Sequence, residues 1–247
     1  MTGKCVPPRE HLSKIHYLLR YILPKISALP STKRQQKEAD ILDAAERIFA
    51  RKGYFNTRLE DIASELSMSK ASLYFYFKNK EELYLAIIFR AFQVLVDAYY
   101  QTIQQLKMNP GAVRVQGLAE CYLNFSEEYF HYHEAMFHYM SLIRGNFKGE
   151  QPLDDLRESI YWRRINDVHH LPMDIMVAEI RSGKADMSIS NVAQAEMIYL
   201  NIWAMIAGFV KINLFGKRAS QTIYRVDLDA WRDNVLQQIG AMLRNQT

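Results

Sequence analysis

The spacing of apolar residues constrains this chain more than any other feature. Nearly every segment repeats them at intervals of three and four, as a helix buried on one face requires, and no run alternates with the period of two that a half-buried strand shows. With 10 Gly and 7 Pro in 247 residues there is little material for the turns of a many-stranded sheet, so the expected fold class is all-α. Hydrophobic residues at 49% and charged residues at 23% exclude collagenous and disordered classes. The longest uncharged apolar stretch of the C-terminal half, Met197 to Val210, is 14 residues and includes Asn201. That is short of the ~18–20 residues that span a bilayer, so it reads as a buried helix and no membrane partner is expected.

Cys5 and Cys121 are too few for a disulfide framework and have no zinc-type spacing, and Lys4, Arg9, Lys14, Arg20 and Lys25 interrupt any secretory apolar core, so the expected location is the cytoplasm. The net charge of +4 is unevenly placed. Residues 1–80 hold 15 Lys/Arg against 8 Asp/Glu, and residues 81–247 hold 16 against 19. A basic N-terminal third on a mildly acidic body points to an anionic partner met at one end.

Residues 1–30 form an N-terminal extension whose apolar stripe is broken by Pro24 and Pro30, open to reading as a DNA-backbone arm, a packing helix or a stretch added by a misplaced start. A first helix is expected from about Lys33 to Lys52, with Ile41, Ala45, Ile48 and Phe49 inward and Gly53 as a left-handed stop. Thr57-Arg58-Leu59-Glu60 fits a capping box opening a short helix Leu59 to Leu66. Ser67-Met68-Ser69 supplies a turn with a new N-cap hydroxyl before a second short helix, Lys70 to Phe77. The pair reads as a helix-turn-helix. Its second helix would enter a major groove by its N-terminal residues, so Ser69, Lys70, Ala71 and Ser72 are placed to meet base edges, with Lys70 suited to guanine O6 and N7.

The segment Gly53 to Tyr84, with its Gly-aromatic pair, Thr57, Asp61-Ile62-Ala63, Ser69-Lys70, Leu73-Tyr74, Phe77 and Lys80-Glu81-Glu82-Leu83, resembles the DNA-binding region of the tetracycline-repressor (TetR) family of bacterial transcription regulators. With the helix before it, the resemblance covers roughly 50 residues. Three departures stand out: Leu66-Ser67-Met68 where the family often has a small trio such as Ala-Gly-Val, Ala71 where Gly is common, and Arg58 in place of a second hydroxyl. Arg58 either reaches a phosphate or points to solvent. The resemblance implies that Tyr74 and Tyr76 approach the DNA backbone, their alternative being packing between helices. Phe75, without a donor, offers only a thymine methyl or sugar contact. Lys80, at the start of the next helix, is expected at a phosphate. The expected DNA-binding set is therefore Thr57, Arg58, Ser69, Lys70, Ala71, Ser72, Tyr74, Phe75, Tyr76 and Lys80.

A long helix from Lys80 to about Leu106 should link this head, residues 31–80, to a helical effector-binding and dimerisation domain, residues 81–247. Further helices are expected at about 112–133, 134–145, 154–182 with a kink at Pro172, 190–215 and 227–245, with Gly183 and Gly216 as C-caps. The last two carry the expected dimer contacts, Leu200, Trp203, Ala207, Trp231, Val235 and Ile239, since residues 192–214 are apolar on nearly every face and the resemblance implies subunits joined in a four-helix bundle, the alternative being that both helices are buried within one monomer. An aromatic and Met-rich middle region contributes a candidate effector pocket, Tyr122, Phe125, Tyr129, Phe137, Met140, Tyr161, Trp162 and Met176, whose bland alternative is plain core.

Glu127, His131, Glu134 and His138 are spaced 4, 3 and 4 and would share a face if that stretch stays helical, yet no second half of a bundle metal site accompanies them. No catalytic residue, metal or cofactor is expected, because no Gly-rich phosphate loop, GxSxG, HExxH or Cys/His pairing occurs. The expected function is a ligand-responsive transcriptional regulator, a repressor that binds a palindromic double-stranded DNA operator as a homodimer and is released by a small hydrophobic effector. A helix-turn-helix protein controlled by a protein partner is the alternative, followed by a helical-bundle metalloenzyme.

Overall fold

The computed structural model describes residues 33–143, 158–219, 222–223 and 226–244. Among them the elements run α1 Lys33–Lys52, α2 Leu59–Glu65, α3 Lys70–Tyr76, α4 Lys80–Gln105, α5 Gly111–Glu128, α6 Phe130–Ile143, α7 Ile160–Val168, α8 Leu171–Ala185, α9 Ala195–Ala219, β1 Thr222–Ile223, β2 Val226–Asp227 and α10 Leu228–Leu243. Among the described residues the regular structure is helical apart from a two-residue antiparallel ladder that pairs Thr222 with Asp227 and Ile223 with Val226. The N-terminal extension, residues 1–30, lies outside the described residues.

The described residues form two compact units. One contains α1 to α3, α4 as far as Val94, and residues 129–143 and 158–170; the other contains the rest of α4, α5 and residues 171–244. In the first unit Ile41, Ala44, Ala45 and Ile48 of α1, Ile62 of α2, Leu73 of α3 and Leu83, Ile87 and Ile88 of α4 make a closed apolar core. Each lies at the three-or-four spacing that puts it on one helical face. Helix α1 stops where the sequence predicts: Gly53 takes φ +80° and its N–H returns to the Phe49 carbonyl at 2.8 Å.

In the second unit α5 packs against α8, α9 and α10. The closest approach is between the start of α5 and the end of α8, where a Cβ added to Gly111 would lie 2.3 Å from both Cα and N of Gly183. Gly183 is thus an interior packing glycine two residues before the end of α8, not the expected C-cap. The α5 N-terminus is capped from the following turn: Asp186 Oδ2 accepts from Gly111 N at 2.8 Å and Ser188 Oγ from Ala112 N at 2.9 Å. Arg114 clamps the same junction, donating to Glu179 at 2.5 Å and to Ser182 Oγ at 2.7 Å.

Several boundaries differ from the sequence expectation for identifiable reasons. The helix breaks at Tyr129 and not near residue 133: α5 ends at Glu128, α6 starts at Phe130, and the amides of Tyr132 and His133 donate to the Tyr129 carbonyl in the first turn of the new helix. The predicted kink at Pro172 is a full break at His169–His170, which leaves Pro172 as the second residue of α8, where a missing N–H costs nothing. Gly216 lies inside α9, which continues to Ala219. Two helices, α4 and residues 195–213 of α9, are long and apolar enough to cross a membrane by length and composition alone, since the mean hydropathy of a window tolerates the isolated polar residues that shortened the uncharged stretch. The most apolar window of α4 is 56% buried within the protein, as a core helix would be.

Candidate nucleic-acid interface

The helix-turn-helix is built by three local devices. Arg58 is the N-cap of α2, with its N–H donating to the Asp61 carboxylate at 2.9 Å. Between α2 and α3, Ser67 takes φ 51°, the left-handed conformation that lets a three-residue turn reverse the chain. Ser69 then caps α3, its Oγ accepting from Ser72 N at 3.1 Å and sharing a hydrogen bond with Ser72 Oγ at 2.9 Å. Leu73 and Phe77 are fully buried and anchor α3 from below. Ser69, Lys70, Ala71 and Ser72 are left exposed together on its outer N-terminal side, and Arg58 is exposed at the start of α2.

The aromatic run divides by position. Tyr74 is 41% and Phe75 68% exposed, whereas Tyr76 is half-buried. Arg34, on the first turn of α1, lies 5.3 Å from the Phe75 ring centroid and 5.9 Å from that of Tyr76. Sequence reasoning passed over Arg34, and no spacing rule could have found it, because the contact spans some forty residues.

Two members of the expected DNA-binding set have other partners. Thr57 is 1% exposed and its hydroxyl donates to the Gly53 carbonyl at 2.8 Å, closing the turn after α1. It does not face outward, and the capping role expected of its hydroxyl passes to the next residue. The Lys80 ammonium donates to the carbonyls of Tyr54 and Thr57, both at 3.1 Å, and lies 4.4 Å from the Tyr54 ring centroid. Lys80 is therefore an internal strut between the α1–α2 turn and α4, with donors already engaged where a phosphate was expected.

Charge pairs occupy much of the basic surface. Lys52 pairs with Asp61 at 2.9 Å, Arg47 and Arg51 flank Glu65 at 3.5 and 3.6 Å, and Lys70 pairs with Glu60 of α2. The bond from Lys70 holds the Glu60 carboxyl below the usual carboxylate range, and Glu60 in turn raises the Lys70 ammonium. Behind the interface, Glu46 of α1 accepts from Arg90 of α4 at 3.0 Å and from the Tyr132 hydroxyl of α6 at 2.8 Å, and Arg90 also reaches Asp43 at 2.5 Å. Nothing in the local pattern marked this three-helix cluster, because each partner lies on a different element.

The expected effector-pocket residues divide between the two units. Tyr122 and Phe125 stack with centroids 6.5 Å apart, and with Met176 they are buried in the second unit. Tyr129, Phe137, Met140, Tyr161 and Trp162 belong to the first, where Tyr161 stacks on Phe77 at 6.1 Å and Trp162 meets Tyr139 edge-on at 5.4 Å. Among the described residues, a groove of about 370 Å³ lies elsewhere, between α5 and α10, bordered by Gln116, Glu120, Gln237 and Arg244.

The expected dimer residues also divide. Val235 and Ile239 are 6% and 0% exposed, because the apolar stripe of α10 faces α5 and α9 of the same chain, so they are not available to a second copy. Trp231 is half-buried with its ring 4.8 Å from Phe209. Trp203 and Ala207 are half-buried, and Leu200 is exposed. The stripe that does face outward is on α9: Met197, Leu200, Asn201, Ala204, Gly208 and Ile212.

The possible metal stripe is broken by the turn at Tyr129. Glu127, on α5, accepts from Arg232 and Asn213, both at 3.1 Å. His131, Glu134 and His138 lie on α6, where His138 Nδ1 is 3.3 Å from the Tyr84 hydroxyl. Among the described residues no group of three His, Cys, Asp or Glu side chains is arranged to hold a metal.

A capped helix, a left-handed turn and a second short helix with an exposed polar N-terminal face, set on an apolar helical base, have the form of a helix-turn-helix, and the described residues around it are almost wholly helical. Residues 41–87 match the family model described as bacterial regulatory proteins of the tetR family. Over that segment the chain is similar to the DNA-binding region of that family. It is 40% identical over 57 residues to a biofilm operon icaADBC HTH-type negative transcriptional regulator, IcaR, of Staphylococcus epidermidis, a match covering 23% of this chain and 31% of the relative. It is 31% identical over 94 residues to the HTH-type transcriptional activator FasR of Mycolicibacterium smegmatis, covering 38% of this chain and 42% of that one. The matched segments thus span about a third to two fifths of these curated relatives. The fold extends further: the transcriptional regulator FadR from Bacillus subtilis, solved in complex with stearoyl-CoA, superposes with a TM-score of 0.58 over 83% of this chain and 98% of that one, at 16% identity. The curated relatives are regulators and not enzymes.

Proposed function

We propose that this protein is a cytoplasmic, ligand-responsive transcription regulator that binds a palindromic operator as a homodimer and acts as a repressor. The observation that carries this reading is the exposed face Ser69, Lys70, Ala71 and Ser72, held out by the buried Leu73 and Phe77. Base edges fall to those four residues and phosphates to Arg58, Tyr74 and Tyr76, with Phe75 against sugar or a thymine methyl. The head is residues 31–80 and the effector and dimerisation region residues 81–247. The second copy is taken by the outward stripe of α9, whose Met197 and Leu200 are 55% and 51% exposed. Twofold symmetry then sets two recognition helices ~34–36 Å apart, matching successive major grooves.

The effector is a small hydrophobic molecule, and the stearoyl-CoA in the FadR complex makes an acyl-CoA thioester the first class to try. To switch the population fully it must prefer the released state by ~5.5 kcal/mol. The test is a two-part titration: selection of bound sites from a random duplex pool, then the melting temperature and operator affinity with and without stearoyl-CoA and shorter acyl-CoAs. Enrichment of an inverted repeat, with affinity falling as ligand raises the melting temperature, is the expected result. A pool that yields no enriched sequence refutes the reading.

A further inference from the structure

The Lys70–Glu60 pair stands at the edge of the proposed DNA-reading face, and the function as read so far uses only the lysine. Glu60 lies on the first turn of α2, Lys70 is the first residue of α3, and their ammonium and carboxylate are in direct contact. Both side chains remain about half exposed, at 59% for Lys70 and 48% for Glu60, so the pair is open to a docking partner. It also sets a donor beside an acceptor at hydrogen-bond spacing.

In the major groove a G·C pair presents guanine O6 and N7 as acceptors and, beside them, the cytosine N4 amine as a donor. O6 and N4 are themselves hydrogen-bonded, so they stand about 3 Å apart. An ammonium in contact with a carboxylate therefore matches that edge atom for atom. A T·A pair also sets an acceptor, thymine O4, beside a donor, adenine N6, but on the ammonium's side it has the thymine methyl where guanine offers N7 as a second acceptor, so the lysine gains less there. The carboxylate also acts against wrong sites: beside a phosphate it is repelled, and it occupies the lysine that would otherwise bind any backbone.

We propose that Lys70 and Glu60 together read one G·C base pair in each half-site, Lys70 donating to guanine and Glu60 accepting from the cytosine N4 amine. Glu60 is thereby a specificity-determining residue that lowers affinity for unrelated DNA. This rests on the DNA-binding reading above, and the experiment separates the two.

Wild type, Glu60→Ala and Lys70→Met are each used to select sites from a random-sequence duplex pool, and dissociation constants are then measured on the enriched site, on the same site with the G·C pair replaced by A·T, and on scrambled DNA. Wild type is expected to enrich a G·C pair, and its replacement to weaken wild-type binding by tenfold or more, on the scale of one good base contact. Glu60→Ala should lose much of that discrimination while binding scrambled DNA more tightly. Lys70→Met should keep a residual preference for cytosine. If Glu60→Ala tightens binding to all three DNAs by the same factor and leaves the selected sequence unchanged, Glu60 reads no base and the proposal is overturned. If wild type enriches nothing, it is the DNA-binding reading that fails. Matched thermal melts show that the variants are folded, as expected for two exposed positions.

Discussion

Lys80 offers the most direct way to separate a structural role from a DNA-contacting one. Lys80→Met keeps the aliphatic stem but removes two charge-assisted hydrogen bonds, to the carbonyls of Tyr54 and Thr57, and the ammonium above the Tyr54 ring. A hydrogen bond from a charged donor contributes about 1.5 kcal/mol or more, and a cation over an aromatic ring at a partly exposed site about 0.5–1 kcal/mol. Against this gross sum of about 4 kcal/mol stand the rotamer entropy recovered by freeing the side chain and solvent screening at a half-buried position, which leave a net loss of about 2 kcal/mol. At 2–4 °C per kcal/mol for a chain of this size, the melting temperature should fall by about 4–8 °C. If Lys80 were instead a phosphate ligand, the melt would be unchanged and the slope of log affinity against log salt would fall by ~0.9. A thermal melt and a salt titration on one DNA decide the matter. A variant that melts with wild type and loses a full unit of salt slope would refute the strut.

Three further outcomes are expected. Ser67→Gly should stabilise the protein by about 1 kcal/mol, because Ser67 pays for φ 51° and glycine does not, and a lower urea midpoint would contradict this. Burial alone would raise the Glu46 carboxyl, but His131 at 3.9 Å, Arg90 and Tyr132 hold it below the usual range, so its contribution is present above the unfolded carboxylate pKa of ~4.3 and is lost as pH falls through the folded value. The stability gap between wild type and Glu46→Gln should thus be widest at neutral pH and shrink below about pH 4, and a gap that widens on acidification would be inconsistent with it. Leu200→Glu should leave the protomer within about 0.5 kcal/mol of wild type while sedimentation shows monomers, whereas Val235→Asp should unfold the chain before any effect on assembly can be read.

What the sequence determined by itself is whatever depends on neighbours within a turn or two. The limits of α1 and its glycine stop, the two short helices with Ser69 as a cap, and the exposed Ser69 to Ser72 face all follow from caps, breakers and three-or-four spacing, which act over a few residues. The expected family followed from the same segment. The tertiary structure decided which of several possible neighbours each side chain meets. Lys80 engages carbonyls 26 and 23 residues away, Glu46 gathers α1, α4 and α6, and Gly183 is required by Gly111 of another helix. Likewise, residues 192–214 are apolar on nearly every face and α10 carries one apolar stripe, and only the packing of α5, α8, α9 and α10 shows that the α10 stripe turns inward while Met197, Leu200 and Gly208 turn out. Periodicity specifies that a face must be covered, but the covering group is selected by volume, charge and hydrogen-bond geometry summed over residues far apart in the chain.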